Sequence, residues 1–416
     1  MRAAIIGSAN FDYAGGAERT VEQLARFLHS RGYSVTVFSI DYENHNVRSN
    51  HNDSAYKEMN AFSFDLFSRK RIVKLSHGTS MGLVGLFSFW RIWEMIEGFD
   101  LYYFPYPSIL LGNFMKYSYR LGKNPQIIVA NHGTYFEMLE HRKITRKLFM
   151  GGLTEMIFEY AKKMDIKIHV QNTAQYNFYR YVIGINPENI YLIPQCDVDF
   201  NRYNVGNNSS FRVVFLNKIA KNKGMEKLFT IIRKAPDISF DIVGYHDNIE
   251  KIKRKFTDCP NVIFHGYVSE ERKIEILKNA DLMINLSRYE SLSTSTVEGL
   301  ASGLMVIGPR ISGIQYISDK VPKGVILSDL NHISIIEQIR KVKEIKEGNM
   351  TRYFLLKTGI REEARRVFNR DITMEMLGKM LFGESEIQKA QTYLPKSNDS
   401  QSLPKDVRNR IPDIRG

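Results

Sequence analysis

Cysteine is almost missing from this chain: its 416 residues hold two, Cys196 and Cys259. That excludes a disulfide framework and a cysteine-rich zinc site, and it fits a reducing compartment. Uninterrupted apolar runs of about 18 residues are missing too, which argues against a spanning helix. The nearest stretch, Met81 to Phe99, is broken by Arg91, Glu94 and Glu97. Met1-Arg-Ala-Ala-Ile-Ile-Gly7 is too short an apolar run for a signal peptide and reads straight into a strand. We therefore expect a cytoplasmic protein, with peripheral attachment to the inner face of a membrane as an option. No internal repeat is visible, and neither Gly-x-Gly-x-x-Gly nor Gly-x-x-x-x-Gly-Lys-Ser/Thr occurs. These absences count against dinucleotide-binding and P-loop chemistry. Helix-turn-helix, zinc and RNA-binding signatures are missing as well, so nucleic acid is not an expected partner.

What is present is a globular composition, 43% hydrophobic and 25% charged, at a length that suggests two domains. The net charge is +13. Basic residues interleave with aromatics over 67–123. Arg69, Lys70, Arg71 and Lys74 lie near Trp90, Trp93 and Phe99, and Lys116, Arg120 and Lys123 alternate with Tyr117 and Tyr119. Such a mixture suits an anionic membrane surface. A solvated basic face is the competing reading.

Short β-branched runs alternate with amphipathic segments. Ala3–Gly7 reads as a strand, the segment from Glu18 to Leu28 as a helix, and Ser34–Ile40 as a second strand, which opens a βαβ unit. Leu101–Phe104, Gln126–Ala130 and Lys167–Val170 continue the strands. After the polar stretch 204–210 the pattern restarts with Phe211–Leu216, Ser239–Gly244, Asn261–Phe264, Asp281–Asn285, Leu304–Ile307 and Gly324–Leu327. The expected fold is α/β, with two Rossmann-like domains, 1–203 and 204–361, facing each other across a cleft. Residues 384–416 are expected to be disordered. In such sheets ligands bind beyond the carboxyl ends of the strands, so the chemistry belongs in the loops that follow them.

Two of these loops carry the strongest signals. Gly15-Gly16 opens a helix, where backbone N–H groups can approach an anion. Ser287-Arg-Tyr-Glu290-Ser-Leu292-Ser293-Thr294-Ser-Thr-Val-Glu298-Gly-Leu-Ala-Ser-Gly303 follows a strand. It offers N-cap residues at Ser293 to Ser295 and predicts a helix from Thr296 to Ala301, ended at Gly303. The helix start suits a diphosphate, and Glu298, one turn in, suits the paired hydroxyls of a ribose. Asp197-Val-Asp199 spells a metal-binding tripeptide, but its place at the domain boundary favours a structural role.

The two glutamates seven residues apart, Glu290 and Glu298, with Gly-Leu-Ala-Ser-Gly after them, resemble the retaining glycosyltransferases of GT-B fold (group 1, family 4-like). Asp241-Ile-Val-Gly-Tyr, Asn261-Val-Ile-Phe-His-Gly-Tyr267-Val268 and the Gly15-Gly-Ala-Glu-Arg19 turn fit the same family. The resemblance implies a nucleotide-diphosphate sugar as co-substrate, no other cofactor, no metal, and a glycan or lipid-linked acceptor. It places Lys223 at the family's lysine and Lys218 at its arginine, both against the donor diphosphate. Lys218 keeps the charge and loses the arginine's bidentate fork. The resemblance also places Tyr267 and Val268 at the base, Leu292, Ser293 and Thr294 at the phosphates, and Glu298 at the ribose. Gly16 falls at the donor, while Glu290 and His132 fall near the sugar and the reacting centre. Glycines common after the first glutamate are here Ser291 and Ser293. A last helix, about 362–383, is expected to return to the first domain. The alternatives are a non-catalytic nucleotide-sugar or nucleic-acid binding protein and a nucleotide-dependent dehydrogenase.

Overall fold

The computed structural model describes residues 1–8, 16–42, 68–75, 89–132, 158–246 and 248–383. The chain divides into two compact units: Met1–Asp197 with Arg288–Thr294 and Ile311–Tyr316, and Val198–Ser287 with Ser295–Arg310 and the segment from Ile317 onward.

In the first unit the strands are β1 (Arg2–Ser8), β2 (Ser34–Tyr42), β3 (Ser68–Leu75), β4 (Leu101–Phe104), β5 (Gln126–Ala130), β6 (Lys167–Val170) and β7 (Ile190–Leu192). They form one parallel sheet in the order β3-β2-β1-β4-β5-β6-β7. The order reverses between β1 and β4, which is the doubly wound pattern. Central strands β4 and β5 read as continuous apolar runs because helices cover both faces of a parallel sheet. Ile6, Phe38, Phe104, Phe114, Val129 and Ile168 pack into its core. Two strands escape the sequence reading. Ser-Arg-Lys-Arg-Ile-Val-Lys-Leu forms β3, and Arg69, Lys70, Arg71 and Lys74 are part of this edge strand, a position that tolerates charge and is protected by it. The other, β7, is three residues long.

The second unit repeats the design with β8 (Arg212–Leu216), β9 (Ser239–Val243), β10 (Val262–Gly266), β11 (Leu282–Ile284), β12 (Met305–Pro309) and β13 (Val325–Ser328). The order is β10-β9-β8-β11-β12-β13, again all parallel, with the reversal between β8 and β11. Across β8, β9 and β10 the Arg212 guanidinium and His265 Nε2 both bond the Asp241 carboxylate, at 2.7 Å each. Burial pushes the Asp241 carboxyl up, but the hydrogen bonds from His265 and Arg212 outweigh it and hold it below the usual range.

The division falls at Asp197/Val198, a few residues before the predicted 203/204. Cations of the C-terminal helices hold the intervening segment within the second unit. Arg361 donates to the Phe200 carbonyl (2.8 Å), Lys357 to Gly206 (3.1 Å) and Lys346 to Ser210 (2.8 Å). Burial pulls the Lys357 ammonium down to about 8. The single predicted helix over 362–383 is instead the end of Met350–Phe368 followed by Arg370–Phe382. The break is at extended Asn369, whose Oδ1 accepts from Phe200 N. Both helices fall in the second unit. Asp199 caps a short turn and pairs with Arg370 (3.1 Å), the structural role expected of it. The predicted disordered tail, 384–416, lies outside the described residues.

Candidate functional site

In the second unit the loops leaving β8 and β11 meet at the point where strand order reverses, the position where doubly wound sheets take ligands. Asn217 Nδ2 donates to Ser287 Oγ (3.3 Å), tying one loop to the other. Lys221–Lys223 form a short turn ended by Gly224, whose φ is 80°. A Cβ at Gly224 would strike the Leu286 side chain and carbonyl, so only glycine seats the Lys223 turn on the loop leaving β11. Lys223 is half-buried. Lys218 is exposed, with its ammonium 5.7 Å from the centre of the Tyr245 ring.

Asn285 shapes the turn out of β11. Its Oδ1 accepts from Ser287 N (3.0 Å) and its Nδ2 donates to Thr296 Oγ1 (3.1 Å). The helix runs from Thr294 to Ala301, so it starts two residues before the predicted Thr296, and Gly303 ends it at φ 75°. Leu292 and Ser293 are buried just ahead of it. Glu298 is buried in the helix and pairs with the ammonium of Lys273, which also binds Glu270 at 2.8 Å. The Tyr203 hydroxyl donates to the same Glu298 oxygen (3.4 Å). Sequence reasoning missed Lys273, Tyr203 and Asn285. A lysine in a charged helix gives no signal of being buried, and nothing local points to Glu298, 25 residues away in sequence. Tyr267 and Val268, half-buried, follow β10 on the same edge of the sheet.

In the first unit Gly16 opens the helix Gly16–Ser30, and Gly15 lies outside the described residues. His132 follows β5 and is buried. Both of its ring nitrogens are engaged: Nδ1 with the Gln171 amide and Nε2 with the Tyr103 hydroxyl (2.5 Å). Tyr103 also reaches His169 Nδ1 (3.1 Å), and His169 Nε2 faces the Ile193 carbonyl (2.9 Å). The carbonyl can only accept, which orients the whole chain. His169 Nε2 carries its proton, Tyr103 donates to His169, His132 Nε2–H donates to Tyr103, and Gln171 donates to His132. Burial, and then the neighbouring His169, hold the His132 pKa well below its ordinary value. Burial takes His169 to about 4, against the raising effect of its bond to Ile193. His132 is therefore a neutral, fixed ring. His169, which the sequence reading gave no role, is what fixes it through Tyr103.

Glu290 is half-buried and Ser291 buried, and the first unit grips the peptide joining them. Asn172 Nδ2 donates to Ser291 O (2.8 Å), Gln175 Nε2 to Ser291 Oγ (2.7 Å), and Ser291 Oγ to Asn131 O (2.8 Å). On the other side Gly313 N donates to Glu290 O (3.2 Å), and a Cβ at Gly313 would collide with the Glu290 and Ser291 carbonyls. The loops carrying Glu290 and His132 are thus joined through Asn131.

Residues 14–196 match the family model Glycosyltransferase Family 4, and residues 199–354 match Glycosyl transferases group 1. The chain belongs to the GT-B-fold glycosyltransferases. It is 25% identical over 165 residues to the O-antigen biosynthesis glycosyltransferase WbnH of Escherichia coli, covering 40% of this chain and 44% of that one. It is 31% identical over 126 residues to the alpha-galactosylglucosyldiacylglycerol synthase of Streptococcus pneumoniae, covering 28% and 33%. The chain thus spans less than half the length of these curated relatives. Among solved structures, sucrose-phosphate synthase of Thermosynechococcus elongatus superposes with TM-score 0.65 at 16% identity, covering 94% of this chain and 100% of the other. Anabaena HepE, solved with UDP-glucose, gives 0.64 at 14%, covering 93% and 99%. These likenesses are of fold.

Proposed function

We propose that this chain transfers a sugar, with retention of anomeric configuration, from a nucleotide-diphosphate sugar to a glycan or lipid-linked acceptor, without an obligatory metal. The observation that carries the reading is the seating of the Lys223–Gly224 turn on the loop leaving β11, the loop that leads into the helix Thr294–Ala301, at the β8/β11 reversal. As the bond from the sugar to the diphosphate breaks, negative charge collects on the leaving group. The ammonium groups of Lys223 and Lys218 and the N–H groups at the helix start stabilise that charge. Glu298 receives the ribose hydroxyls, its position set by the buried pair with Lys273, and Tyr267 and Val268 meet the base. Glu290 and His132 address the sugar. His132 does so as a neutral ring, so it supplies geometry rather than charge. Proton NMR of the first-formed product tests the reading: the donor's anomeric configuration is retained and EDTA leaves the rate unchanged. Inversion, or loss of activity with chelator, would overturn those two elements.

A lipid-linked acceptor calls for a membrane-facing surface, and the structure narrows the basic and aromatic stretch. Trp93 and Phe99 belong to the core, whereas Trp90 is 58% exposed and rests edge-on against Tyr117 (4.4 Å). Tyr119, Arg120, Leu121 and Lys123 on and after the next helix are exposed, as is Arg91. Among the described residues no helix is long and apolar enough to cross a membrane. Co-sedimentation with anionic vesicles should fall several-fold in Trp90→Ser/Arg120→Ser, and binding that ignores both substitutions and lipid charge would sink this surface.

A further inference from the structure

Among the described residues, two of the buried amides in the first unit, Asn131 and Gln171, have polar atoms without a hydrogen-bond partner. Asn131, at the end of β5, is 1% exposed, and neither its Nδ2 nor its Oδ1 has a hydrogen-bond partner among the described residues. Gln171, at the end of β6, is 3% exposed, and its Oε1 is equally unpartnered, its Nε2 being spent on His132. Buried polar atoms are nearly always paired, so orphans call for a ligand or an ordered water.

Both amides are anchored through their backbones. Asn131 N donates to His169 O (3.0 Å), and Gln171 N donates to Gln175 Oε1 (2.8 Å). The Asn131 carbonyl accepts from Ser291 Oγ, which Gln175 also holds. Strands β5 and β6 are adjacent and parallel, so the two amides stand at neighbouring carboxyl ends, flanking His132. One amide donor and two amide acceptors match a pair of hydroxyls, each of which both donates and accepts. Ser291, at a place where glycine is common in the resembling family, supplies the hydroxyl that fixes Asn131 against the Glu290 loop.

We propose that Asn131 and Gln171 are specificity-determining residues that read hydroxyl groups of the transferred sugar. This rests on the glycosyl-transfer reading above, which puts His132 and Glu290 beside that sugar. An unmet amide is tolerated in the free protein because substrate completes it, and a donor whose hydroxyl is missing or turned away leaves it unmet in the complex.

The test is calorimetric titration of the parent, Asn131→Leu and Asn131→Ala with UDP-, GDP- and ADP-sugars and with the corresponding nucleoside diphosphates. Both variants should lose about tenfold or more in affinity for the nucleotide sugar while binding the nucleoside diphosphate as the parent does. Asn131→Leu should also raise the melting temperature of the ligand-free protein, since it removes the orphaned amide. Affinities for sugar and diphosphate that stay unchanged, as an ordered water on Asn131 would give, or that fall together, would overturn the assignment. A parent that binds no member of the panel would instead remove the glycosyl-transfer reading beneath it.

Discussion

Lys223→Ala lowers kcat/KM for the nucleotide sugar by about 10²- to 10³-fold and leaves the melting temperature almost unchanged. The size follows from where charge develops. In the intact donor the diphosphate charge is shared with the sugar bond, whereas in the transition state it is localising on the departing oxygen. An ammonium held close gains most at that moment and therefore acts on kcat more than on KM. The backbone of Lys223 is fixed because the turn before Gly224 rests on Leu286. Lys218 is exposed over Tyr245, so Lys218→Ala is expected to cost less. Lys218→Arg, which restores the bidentate fork, should equal or exceed the parent. Steady-state kinetics decides: a Lys223→Ala value within about threefold of the parent would take this lysine out of leaving-group stabilisation.

The second large effect is acid instability of the first unit. His132 and His169 both have folded-state pKa values below the unfolded value near 6.5, His169 at about 4. Between those limits the unfolded chain binds protons that the folded chain refuses, so unfolding becomes easier as pH falls. Stability from both groups is complete above about pH 6.5 and declines below it, the share of His169 being lost on the way to pH 4. For His169 alone the loss amounts to about 3 kcal/mol. Asp241, whose pKa is lowered from 3.8, loses its share only below that window, so the two effects separate on the pH axis. Denaturant unfolding at several pH values should show a steep decline between 6.5 and 4 that becomes shallower in His169→Gln. An unchanged slope in that variant would mean that the ring is not held neutral by burial.

What the sequence disclosed and what it hid divide along physical lines. Strand placement along β4 and β5 was legible because central parallel strands are mostly apolar. The helix after β11 was legible from its cap residues and from Gly303. Four basic residues concealed β3, since the rule that makes a strand apolar does not hold at a sheet edge. Trp93 and Phe99 were grouped with the surface aromatics by proximity in sequence, but the helical repeat Ile92-Trp93-Ile96 turns Trp93 inward and leaves Trp90 outside. The network around His132 was out of reach for another reason: His132 follows β5, Tyr103 lies in β4, and His169 and Gln171 lie in and just after β6, so only the sheet makes them neighbours. The same holds for Lys273 with Glu298. Pattern reveals elements, whereas the partners of buried polar groups appear only after folding.

The central claim is that the second unit binds a nucleotide-diphosphate sugar through Lys223 and Glu298. Thermal stabilisation by UDP-, GDP- and ADP-sugars, measured for the parent, Lys223→Ala and Glu298→Gln, tests it most directly. Glu298→Gln keeps an acceptor for Lys273 and Tyr203, so its fold should survive while its grip on the ribose weakens. The account predicts a shift confined to one base, present in the parent and lost in both variants. A shift that persists undiminished in both, or a parent that responds to no donor, would contradict it.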